Sequence, residues 1–379
     1  MFIIKKSILV EALNQITTLV SMKSMVQVSD YILFKLTKKY IEISSTNFEI
    51  FAKVIITEGF EIEKEREVLF PKALIKKIIS ILPNGNIVFK EDSKSERYII
   101  QPEKKSSKNN FKINYTSLDF PEFPISDLKN VKKITIENNT LYELFKKTTD
   151  TIGDESFDLK YSGIHFFIEK DLIRAVSSDT SILSLIEKEQ KSKILKTFIL
   201  TGNNVKLLMK VLKTGEEKET DIYILDNIVL FNIENIQCVV DLIDGEMIKY
   251  ELITSKIDKI FKEIKIEKED FKRTMQVLST VDNRDWNRNV YFNFDFKKSK
   301  ILVNSITPSV AEANAEMKIE KTTHTKNFEA VLTFDYLMIM LENIDTDYVI
   351  LKVKDGANPF LFTSDNKENQ ICILMPKRG

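Results

Sequence analysis

The sequence is poor in glycine and proline, the residues that most often interrupt regular structure. Its 379 residues include only 9 glycines and 8 prolines. Disordered segments are usually enriched in such residues or in low-complexity repeats, and this chain has no low-complexity tract. We therefore expect the whole chain to fold. Its apolar content of 43% can supply a core in each of two to three domains.

Cysteine is also scarce, and long apolar runs are absent. Cys238 and Cys372 lie far apart in apolar, strand-like segments, which predicts buried free thiols in a reducing cytosol rather than a disulfide. No segment approaches the roughly 18 consecutive apolar residues of a membrane-spanning helix. The opening MFIIKKSILVEALNQITTLV is interrupted by Glu11, Asn14 and Gln15, so it predicts a short strand and an amphipathic helix instead of a signal peptide. We expect a soluble, intracellular protein with no membrane partner.

Residues for catalysis or metal binding are thinly supplied. Only two histidines occur, His165 in a strand-like run and His324 in a polar segment. Phosphate-loop, dinucleotide-binding, nucleophile-elbow and Cys-x-x-Cys patterns are missing. The pair Asp241 and Asp244 flanks a turn, where aspartate is expected for backbone reasons. We therefore predict a binding protein with no catalytic residue, metal site or cofactor. An enzyme whose site is too dispersed to recognise, such as a nuclease-like α+β protein, stays open.

Three features recur in the same order at a spacing of about 130 residues. The first is an apolar strand end that runs into an amphipathic helix and a turn, in LFPKALIKKIISILPNG, ILTGNNVKLLMKVLKTG and VLTFDYLMIMLENIDTD. The second is a strand that enters a polar turn, where Ser45, Ser178 and Ser305 correspond. The third is an opening helix, in SILVEALNQITT, NTLYELFKKTTD and EDFKRTMQVLST. Three matching features at one spacing indicate an internal repeat.

The segments between these helices alternate apolar and polar residues, as half-buried strands do. Runs of antiparallel strands with two helices per repeat predict an α+β protein rather than a parallel βαβ fold. We expect three similar domains. Their boundaries are placed where prolines or charged residues break the pattern, after LDFPEFPISDLKN and after DGEMIKYELITSK. The predicted domains are 1–128, 129–256 and 257–379.

The second helix of the first repeat has lysines and no acid on its polar face, although the chain is neutral with 56 basic and 56 acidic residues. At 100° per residue, residues 72–82 separate these lysines from an apolar side that includes Leu74 and Ile81. Three further helices at equivalent positions also place basic residues on one side, whereas the last helix carries Asp335 and Glu342 and no lysine. A solvated face is the alternative for any one helix, but cations on one common surface favour contact with phosphates without base reading. The residues predicted to face DNA are Lys23, Lys72, Lys76, Lys77, Lys146, Lys147, Lys206, Lys210, Lys213, Lys272 and Arg273.

These segments, in this order, resemble one family along the whole chain: the bacterial DNA polymerase III beta subunit, or sliding clamp. The likeness rests on ISSTNFEIFAKV, LFPKALIKKIISILPNG, YTSLDFPEFP, VVDLIDGEMIKYELI and the terminal ILMPKRG. It implies a non-catalytic processivity factor, a homodimeric ring with three domains per chain, helices around a central hole and sheets outside. Such a clamp encircles duplex DNA without sequence specificity. It tethers the replicative polymerase, the clamp loader and repair proteins through short apolar peptides.

The resemblance also implies a peptide-docking pocket between the second and third domains. Met375 and Pro376 close the chain beside an apolar strand, and a methionine-containing apolar groove suits varied peptides. The alternative is that Ile182, Leu183 and Met375 belong to the core. Carried over by position, the pocket residues are Tyr161, Ser178, Thr180, Ile182, Leu183, Ile248, Leu252, Ile253, Ala357, Met375, Pro376, Lys377 and Arg378.

A head-to-tail homodimer is expected because unpaired sheet edges at both ends of a three-domain chain must be buried. The matching positions are Phe111 on one side of the contact and Val277 with Leu278 on the other.

The chain departs from the family at one turn of the pocket. The family commonly has Gly-His-Arg where this chain has Thr180, Ser181 and Ile182, and basic or histidine side chains near the positions of Asp154 and Asp158. Peptide preference and DNA contacts from that loop therefore stay open. So does the choice between a diverged chromosomal clamp, a specialised second clamp and a scaffold that binds proteins but not DNA.

Overall fold

A computed structural model of the chain describes residues 1–21, 25–92, 95–103, 110–116, 118–125, 128, 131–154, 158–212, 218–281, 288–307, 309–365 and 367–377. Contacts divide the chain into two compact units. The first unit combines Met1–Tyr142 with Asn203–Leu242, and the second combines Glu143–Gly202 with Ile243–Gly379. Each unit is therefore assembled from two separate stretches of sequence.

Seven α-helices form within the described residues, and all but one begin at the residue that follows a strand. The exception is the fifth, which follows a longer connection. The helices are α1 (Lys6–Leu19), α2 (Lys72–Ile81), α3 (Asn138–Thr149), α4 (Gly202–Val211), α5 (Glu251–Ile260), α6 (Lys268–Ser279) and α7 (Phe334–Asn343).

The strands are short, and every pairing between them is antiparallel. Those in the first 201 residues are β1 (Phe2–Lys5), β2 (Tyr31–Leu36), β3 (Ile41–Thr46), β4 (Ile50–Ile56), β5 (Phe60–Ile62), β6 (Arg66–Pro71), β7 (Asn86–Asp92), β8 (Arg97–Pro102), β9 (Phe111–Asn114), β10 (Lys133–Glu137), β11 (Gly163–Ile168), β12 (Leu172–Ser178), β13 (Ile182–Glu189) and β14 (Lys196–Thr201). Those that follow are β15 (Glu219–Ile224), β16 (Ile228–Ile233), β17 (Ile236–Asp241), β18 (Lys262–Glu267), β19 (Asn289–Asp295), β20 (Lys300–Thr307), β21 (Ala311–Lys318), β22 (Lys321–Thr322), β23 (Phe328–Thr333), β24 (Tyr348–Val353), β25 (Phe360–Ser364) and β26 (Lys367–Leu374).

The first unit contains two sheets. One has the order β5-β1-β7-β8-β9, and the other has the order β10-β15-β16-β17-β4-β3-β2-β6. In the larger sheet β4 pairs with β17, with Ala52 opposite Cys238. This pairing joins the first predicted domain to part of the second within one continuous sheet.

The second unit repeats this plan. Its larger sheet has the order β14-β11-β12-β13-β26-β25-β24-β18-β22, and its smaller sheet has the order β21-β20-β19-β23. Here β13 pairs with β26, with Ser184 opposite Cys372. The larger sheet therefore joins strands from the second and third predicted domains.

The predicted repeat of strand, helix and strand is confirmed three times, as β6-α2-β7, β14-α4-β15 and β23-α7-β24. The α+β class, with antiparallel sheets, is also confirmed. The expected boundary near 256 falls inside α5, whereas the one near 128 follows a described stretch, 118–125, without helix or strand. The two domain boundaries remain a prediction.

The polar turn recurs, but one residue away from the expected alignment. Thr46 Oγ1 donates to Ile50 O at 2.9 Å and accepts from the amide of Phe48. Ser178 Oγ makes the same two bonds, donating to Ile182 O at 2.8 Å and accepting from the amide of Thr180. The residue that corresponds to Ser178 is therefore Thr46 and not Ser45.

Both units place their helices against sheets through apolar faces. In α1 the buried residues recur every three or four positions, as Leu9, Leu13 and Ile16, which is the spacing of one helical face. In α6 the same spacing buries Phe271 and Met275. Each fully buried side chain of this size stabilises the fold by about 1.5–3 kcal/mol.

The first residues of α1 and α6 are lysines that donate hydrogen bonds to carbonyl groups at the C-terminal end of a neighbouring helix. Lys6, the first residue of α1, donates from Nζ to the carbonyls of Ser80 and Leu82 at the end of α2. Lys268, the first residue of α6, donates to the carbonyl of Ile344 after α7. A cation at a helix C-terminus satisfies unpaired carbonyls and matches the helix dipole. These two lysines therefore have structural partners.

Candidate functional site

The lysines of α2 are less free than the helix projection indicates. Lys72 is half-buried, its Nζ donates to Val20 O at 3.2 Å, and burial lowers its pKa. Lys76 is also half-buried, and its Nζ donates to Thr17 Oγ1 at 2.6 Å. Both ammonium groups face α1 because the two helices pack side by side. Our expectation that Lys72 and Lys76 are fully exposed is therefore wrong, whereas Lys77 is exposed.

The same packing corrects the apolar side of α2. Leu74 is 46% exposed and Ile81 is 62% exposed, although the projection placed both residues with the buried face. The buried side chains of α2 are Ile75, Ile78 and Ile79. The exposed face of this helix is therefore mixed, with Lys77 between apolar side chains.

Some cations of the other helices are exposed to solvent, and others lie beside a carboxylate. Lys206 and Lys210 on α4 are exposed, as are Lys146 on α3 and Arg273 on α6. Lys272 is half-buried and lies 3.4 Å from a carboxylate oxygen of Glu269, one helical turn earlier. Lys23 and Lys213 lie outside the described residues.

Lys147 must be removed from the DNA-facing set. Its side chain is only 6% exposed, and its Nζ lies 2.7 Å from Asp345 Oδ1 and also donates to the carbonyl of Asn343. The backbone oxygen of Lys147 accepts from Ser184 Oγ and Asn343 Nδ2. A buried ammonium of this kind holds the end of α3 to the end of α7 and cannot reach a phosphate.

In α7, the helix that carries no lysine, an acidic side chain forms an ion pair with a cation directly before β19. Asp335 in the first turn of α7 forms an ion pair with Arg288, whose guanidinium also lies 5.0 Å from the ring centre of Phe334. Glu342 is exposed on the same helix. The acidic character expected for α7 is therefore partly neutralised at its N-terminal end.

The turn between β12 and β13 is held in a strained form by its own side chains. Asp179 Oδ1 accepts from the amides of Ser181 and Ile182, both at 2.8 Å, and Thr180 has a φ of 80°. Positive φ is costly for a β-branched residue. Thr180 stands where the resembled family has glycine, so these bonds hold a conformation that threonine disfavours.

Tyr336 is a partner of this turn that sequence reasoning missed. Its hydroxyl donates to Asp179 Oδ2 at 2.5 Å, and burial together with this bond raises the pKa of Tyr336 to about 12. The tyrosine lies on α7 and the aspartate lies 157 residues earlier. Only the strand pairing of the second unit brings them together, and no sequence signal linked them.

The structure brings the C-terminal residues to the same turn. The amide of Met375 donates to Ser181 O at 2.8 Å, and the amide of Lys377 donates to Val331 O at 2.9 Å. Met375 is 44% exposed. The expected adjacency of the Thr180 turn and the terminal segment is therefore present. Arg378 lies outside the described residues.

Two of the predicted pocket residues belong to the core instead. Ile182 is 1% exposed and Leu183 is 4% exposed. They point to opposite sides of β13, because successive side chains of a strand alternate. Ile182 packs in the large core of the second unit, and Leu183 packs with Tyr250 and Ile373. Neither side chain can line an open pocket as we expected, so the alternative assignment to the core is correct for both.

Other predicted pocket residues remain accessible. Leu252 is 61% exposed and Ile253 is 36% exposed at the start of α5. Ile248 and Tyr161 are half-buried, and Ser178 is buried within its turn. Leu252 and Ile253 thus present the apolar surface that a docking site requires.

His165 fixes the segment that precedes α5. Its Nε2 donates to Lys160 O at 2.7 Å, and its Nδ1 accepts from the amide of Ile248 at 3.3 Å. Burial lowers the pKa of His165 to about 4, so the ring is neutral near pH 7. The histidine is a structural clamp on this segment. Its place in a strand-like run gave no sign of that role.

A groove of ≈ 1090 Å³ lies in the second unit beside the terminal segment. Of the predicted pocket residues, Ala357, Met375, Pro376 and Lys377 line it. The rest of the lining, which was not predicted, comes from β19, β20, β21 and β23 and from Asp355 and Gly356 in the loop between β24 and β25. The residues Tyr161, Thr180, Ile248, Leu252 and Ile253 lie in the same unit but do not line this groove.

The predicted dimer residues have different accessibility. Val277 is 43% exposed and Phe111 is half-buried, but Leu278 is fully buried in the core formed around α6 and α7. Leu278 cannot contact a partner, which corrects that prediction. Alternation around the helix explains the difference, because adjacent positions lie 100° apart.

No group of three or more histidine, cysteine, aspartate or glutamate side chains within the described ranges is arranged to hold a metal ion. No helix among those same residues is long and apolar enough to cross a membrane. Cys238 and Cys372 are both free and buried, as predicted.

Comparison with known proteins agrees with this architecture. The family model for the DNA polymerase III beta subunit, N-terminal domain, matches residues 1–127. The beta sliding clamp of Streptococcus pneumoniae serotype 4 is 20% identical, over 100% of this chain and 99% of that protein. The beta sliding clamp of Chlamydia trachomatis serovar D is 20% identical, over 69% of this chain and 60% of that protein.

Solved structures match over the full length. The DNA polymerase sliding clamp of Bacillus subtilis superposes with a TM-score of 0.91 at 17% identity, covering 100% of this chain and 99% of that one. A putative DNA polymerase III beta subunit of Eubacterium rectale superposes with a TM-score of 0.89 at 21% identity, covering 99% and 98%. These likenesses establish the fold.

The chain has the fold of the bacterial DNA polymerase sliding clamps. Residues 1–127 match the N-terminal domain of the DNA polymerase III beta subunit family, and the whole chain is similar to bacterial beta sliding clamps.

Proposed function

We propose that the protein works as a homodimeric, cytoplasmic ring that encircles duplex DNA and tethers the replicative polymerase, the clamp loader and repair proteins. The observation that carries the proposal is the clamp fold along the whole chain. Exposed cations on α2, α3, α4 and α6 supply the chemistry for DNA contact. The domains 1–128, 129–256 and 257–379 are proposed as its three similar parts.

Weak contact with phosphates suits a ring that must slide. A topological link keeps the protein on DNA, so the cations need only attract phosphates equally at every register. The chain is neutral overall, which excludes strong binding by net charge. Lys77, Lys146, Lys206, Lys210 and Arg273 are the exposed residues that fit this role.

The peptide-docking site is proposed around the Thr180 turn, the start of α5 and the terminal segment. Leu252, Ile253 and Met375 supply exposed apolar surface, and hydrogen bonds tie Met375 to the turn. Buried apolar anchors usually dominate peptide binding. Partners should therefore engage through large apolar side chains near the ends of their peptides.

The dimer is proposed to form between β9 of one protomer and β21 of its partner. Each strand ends its sheet, and a sheet edge is a template for further pairing. A hollow of ≈ 390 Å³ beside β9 is lined by Leu74 and Lys112, among others, and it can receive an apolar side chain such as Val277. Lys112 on β9 is also complementary to the exposed Glu312 and Glu316 on β21.

The dimer is testable through one exposed leucine. Leu74→Asp places a charge in the hollow, and we expect it to weaken dimerisation by about 2 kcal/mol or more because the contact loses an apolar side chain and must desolvate a carboxylate. Sedimentation equilibrium measures the effect. Leu195→Asp is the matched control, since Leu195 is 71% exposed in a loop. A wild-type protein that stays monomeric at micromolar concentration would contradict the proposal.

Retention on circular DNA tests the function as a whole. After loading onto a nicked plasmid, the protein should stay bound through gel filtration, and a single cut that linearises the plasmid should release it. A topological link responds to DNA ends, whereas an ordinary binding site does not. Equal retention on circular and linear DNA would show that the protein is not a ring around the duplex.

A specialised clamp with altered partners is the second candidate. Thr180, Ser181 and Ile182 replace the family's Gly-His-Arg, and Thr180 is held at positive φ. The side chains that this turn offers to a peptide therefore differ from those of the family. Growth after depletion of the protein separates the two candidates, because loss of a sole chromosomal clamp stops replication.

A further inference from the structure

The groove beside the terminal segment crosses the exposed face of the sheet β21-β20-β19-β23. Its floor carries a row on β20 in which Leu302, Asn304 and Ile306 alternate with inward-facing neighbours. Leu302 is 41% exposed and Ile306 is 47% exposed. Side chains two residues apart on a strand are about 6.8 Å apart. An extended peptide laid along β20 has the same repeat, so its side chains can meet this row in register.

Asn304 carries an acceptor that the fold leaves unused. Its side-chain oxygen is buried and has no hydrogen-bond partner among the described residues. Tyr291 lies opposite it on β19 and Asn314 lies opposite it on β21. A buried acceptor without a partner costs about 1–3 kcal/mol. If the Asn304 side-chain amide turns toward the groove, the backbone amide of a bound peptide can satisfy this oxygen.

The walls of the groove are held by close backbone contacts. Gly356 lies so near the carbonyl of Glu329 that a Cβ at position 356 would sit 1.6 Å from that oxygen. On the same edge, the amide of Lys377 donates to Val331 O. The loop and the terminal segment therefore pack directly on β23. The groove is preformed, which lowers the entropy cost of binding.

The charges of the lining select the class of ligand. Glu329 and Asp355 contribute two carboxylates, against one ammonium from Lys377. Glu329 Oε1 accepts from Asn293 Nδ2 at 3.0 Å, and hydrogen bonds from Asn358 Nδ2 and from the amide of Ala357 lower the pKa of Asp355. Acidic groups beside amides and apolar side chains repel a phosphate backbone. They suit a polypeptide that carries a lysine or arginine.

We infer that this groove binds an extended, basic segment of a partner protein, continuing a peptide whose apolar anchors occupy the docking site. The inference rests on the proposed docking function, because Ala357, Met375, Pro376 and Lys377 form a wall of the groove and belong to the predicted pocket. The segment runs along β20, donates a backbone amide to Asn304, places apolar side chains against Leu302 and Ile306, and sets its cation near Glu329. The groove thus contacts about five peptide residues beyond the apolar anchors.

Fluorescence anisotropy with five synthetic peptides, one short and four extended, tests the inference. The short peptide has six residues with leucine and phenylalanine near its end. The lysine peptide adds five residues that include one lysine. The glutamate peptide has glutamate in place of that lysine. Both are made in two forms, with the extension at either end of the short peptide. For the wild-type protein we expect the better lysine peptide to bind about tenfold tighter than the short peptide. We expect the matching glutamate peptide to bind about threefold more weakly than the lysine peptide.

Two variants test whether the tighter binding of the lysine peptide comes from the groove. Asn304→Leu should weaken the lysine peptide about fivefold and leave the short peptide unchanged. The same variant should raise Tm, because it removes a buried unpaired oxygen. Glu329→Gln keeps an acceptor for Asn293 and should abolish the preference for lysine over glutamate. Asn232→Leu, on half-buried Asn232 in the other unit, is the matched control and should change neither affinity.

The outcomes separate this inference from the docking site. Equal affinity of the short and lysine peptides would overturn the inference and leave the docking site standing. Binding of the lysine peptide alone, with sensitivity to Asn304→Leu, would support the groove and contradict the docking site. Binding of neither peptide would overturn both. A lower Tm for Asn304→Leu would show that the side chain is a structural partner and not an open acceptor.

Disulfide trapping gives an independent readout. The only two cysteines of the chain are buried, so Asn314→Cys introduces one accessible thiol on the groove face. A lysine peptide with a cysteine in its extension should cross-link to this variant. It should not cross-link to Lys193→Cys, at an exposed loop position of the same unit. Equal cross-linking of both variants would count against the groove.

Discussion

Replacing Lys77, Lys146, Lys206 and Lys210 together with glutamine is expected to lower the affinity for duplex DNA about a hundredfold in 0.1 M salt. Each phosphate contact contributes about 0.9 to the slope of log K against log salt for duplex DNA, so four lost contacts flatten that slope by about 3.6. All four lysines are exposed, so the fold should be retained. Titration of labelled duplex at several salt concentrations measures both quantities.

The choice of lysines depends on the structure. Lys72 donates a hydrogen bond to Val20, directly after α1, and Lys76 donates one to Thr17 of α1, and Lys147 is paired with Asp345. Changing any of these three would alter stability together with charge. The four exposed residues separate the two effects.

A control with the same change in charge makes the result specific. Lys38, Lys39, Lys170 and Lys193 are exposed and lie outside the helices. Their replacement with glutamine should leave DNA affinity within about threefold of the wild-type protein. If both quadruple variants lost affinity equally, net charge alone would govern binding, and the helix surface would not be the DNA contact.

Deleting Met375–Gly379 is expected to weaken the binding of partner peptides by about 2 kcal/mol or more, a loss of about thirtyfold. The deletion removes the exposed Met375 side chain and the backbone bonds to Ser181 and Val331. Peptide affinity is measured by anisotropy, and processive synthesis is measured with polymerase and loader. The truncated protein should remain a dimer, because β9 and α2 are intact.

A point variant separates the contribution of the Met375 side chain from that of the terminal backbone hydrogen bonds. Met375→Ala keeps both terminal hydrogen bonds and should still weaken apolar peptides severalfold. Val310→Ala is the matched control, since Val310 is 77% exposed and lies outside the groove lining. A truncated protein that still supported processive synthesis would disprove the docking role. One that fell apart into monomers would show that the terminus is structural.

The sequence predicted the elements well where local periodicity decides them. The apolar spacing in SILVEALNQITT and EDFKRTMQVLST indicated helices, and α1 and α6 span these segments. The recurring strand–helix–strand pattern indicated three copies, and all three are present. Fold class and repeat therefore follow from pattern, because a helix or strand needs only the correct period to bury one face.

The candidate site was predicted less completely. Thr180, Leu252, Ile253 and Met375 are accessible as expected, whereas Ile182 and Leu183 fill the core. The groove floor on β20 escaped prediction. Alternation along LVNSI shows that Leu302, Asn304 and Ile306 share a face, but not that a loop and a chain terminus enclose that face.

By itself, the sequence determined that this protein is an α+β chain of repeated units, with few groups for catalysis and lysines gathered on helices. Only the tertiary structure decided which lysines are free. Lys146 and Lys147 are adjacent in sequence and equally charged, yet one is exposed and the other is paired with Asp345, 198 residues away. Local sequence sets the direction of a side chain on its helix. The neighbours that it meets there depend on strand pairings between distant segments, and those pairings decide whether a lysine faces water or is buried against a carboxylate.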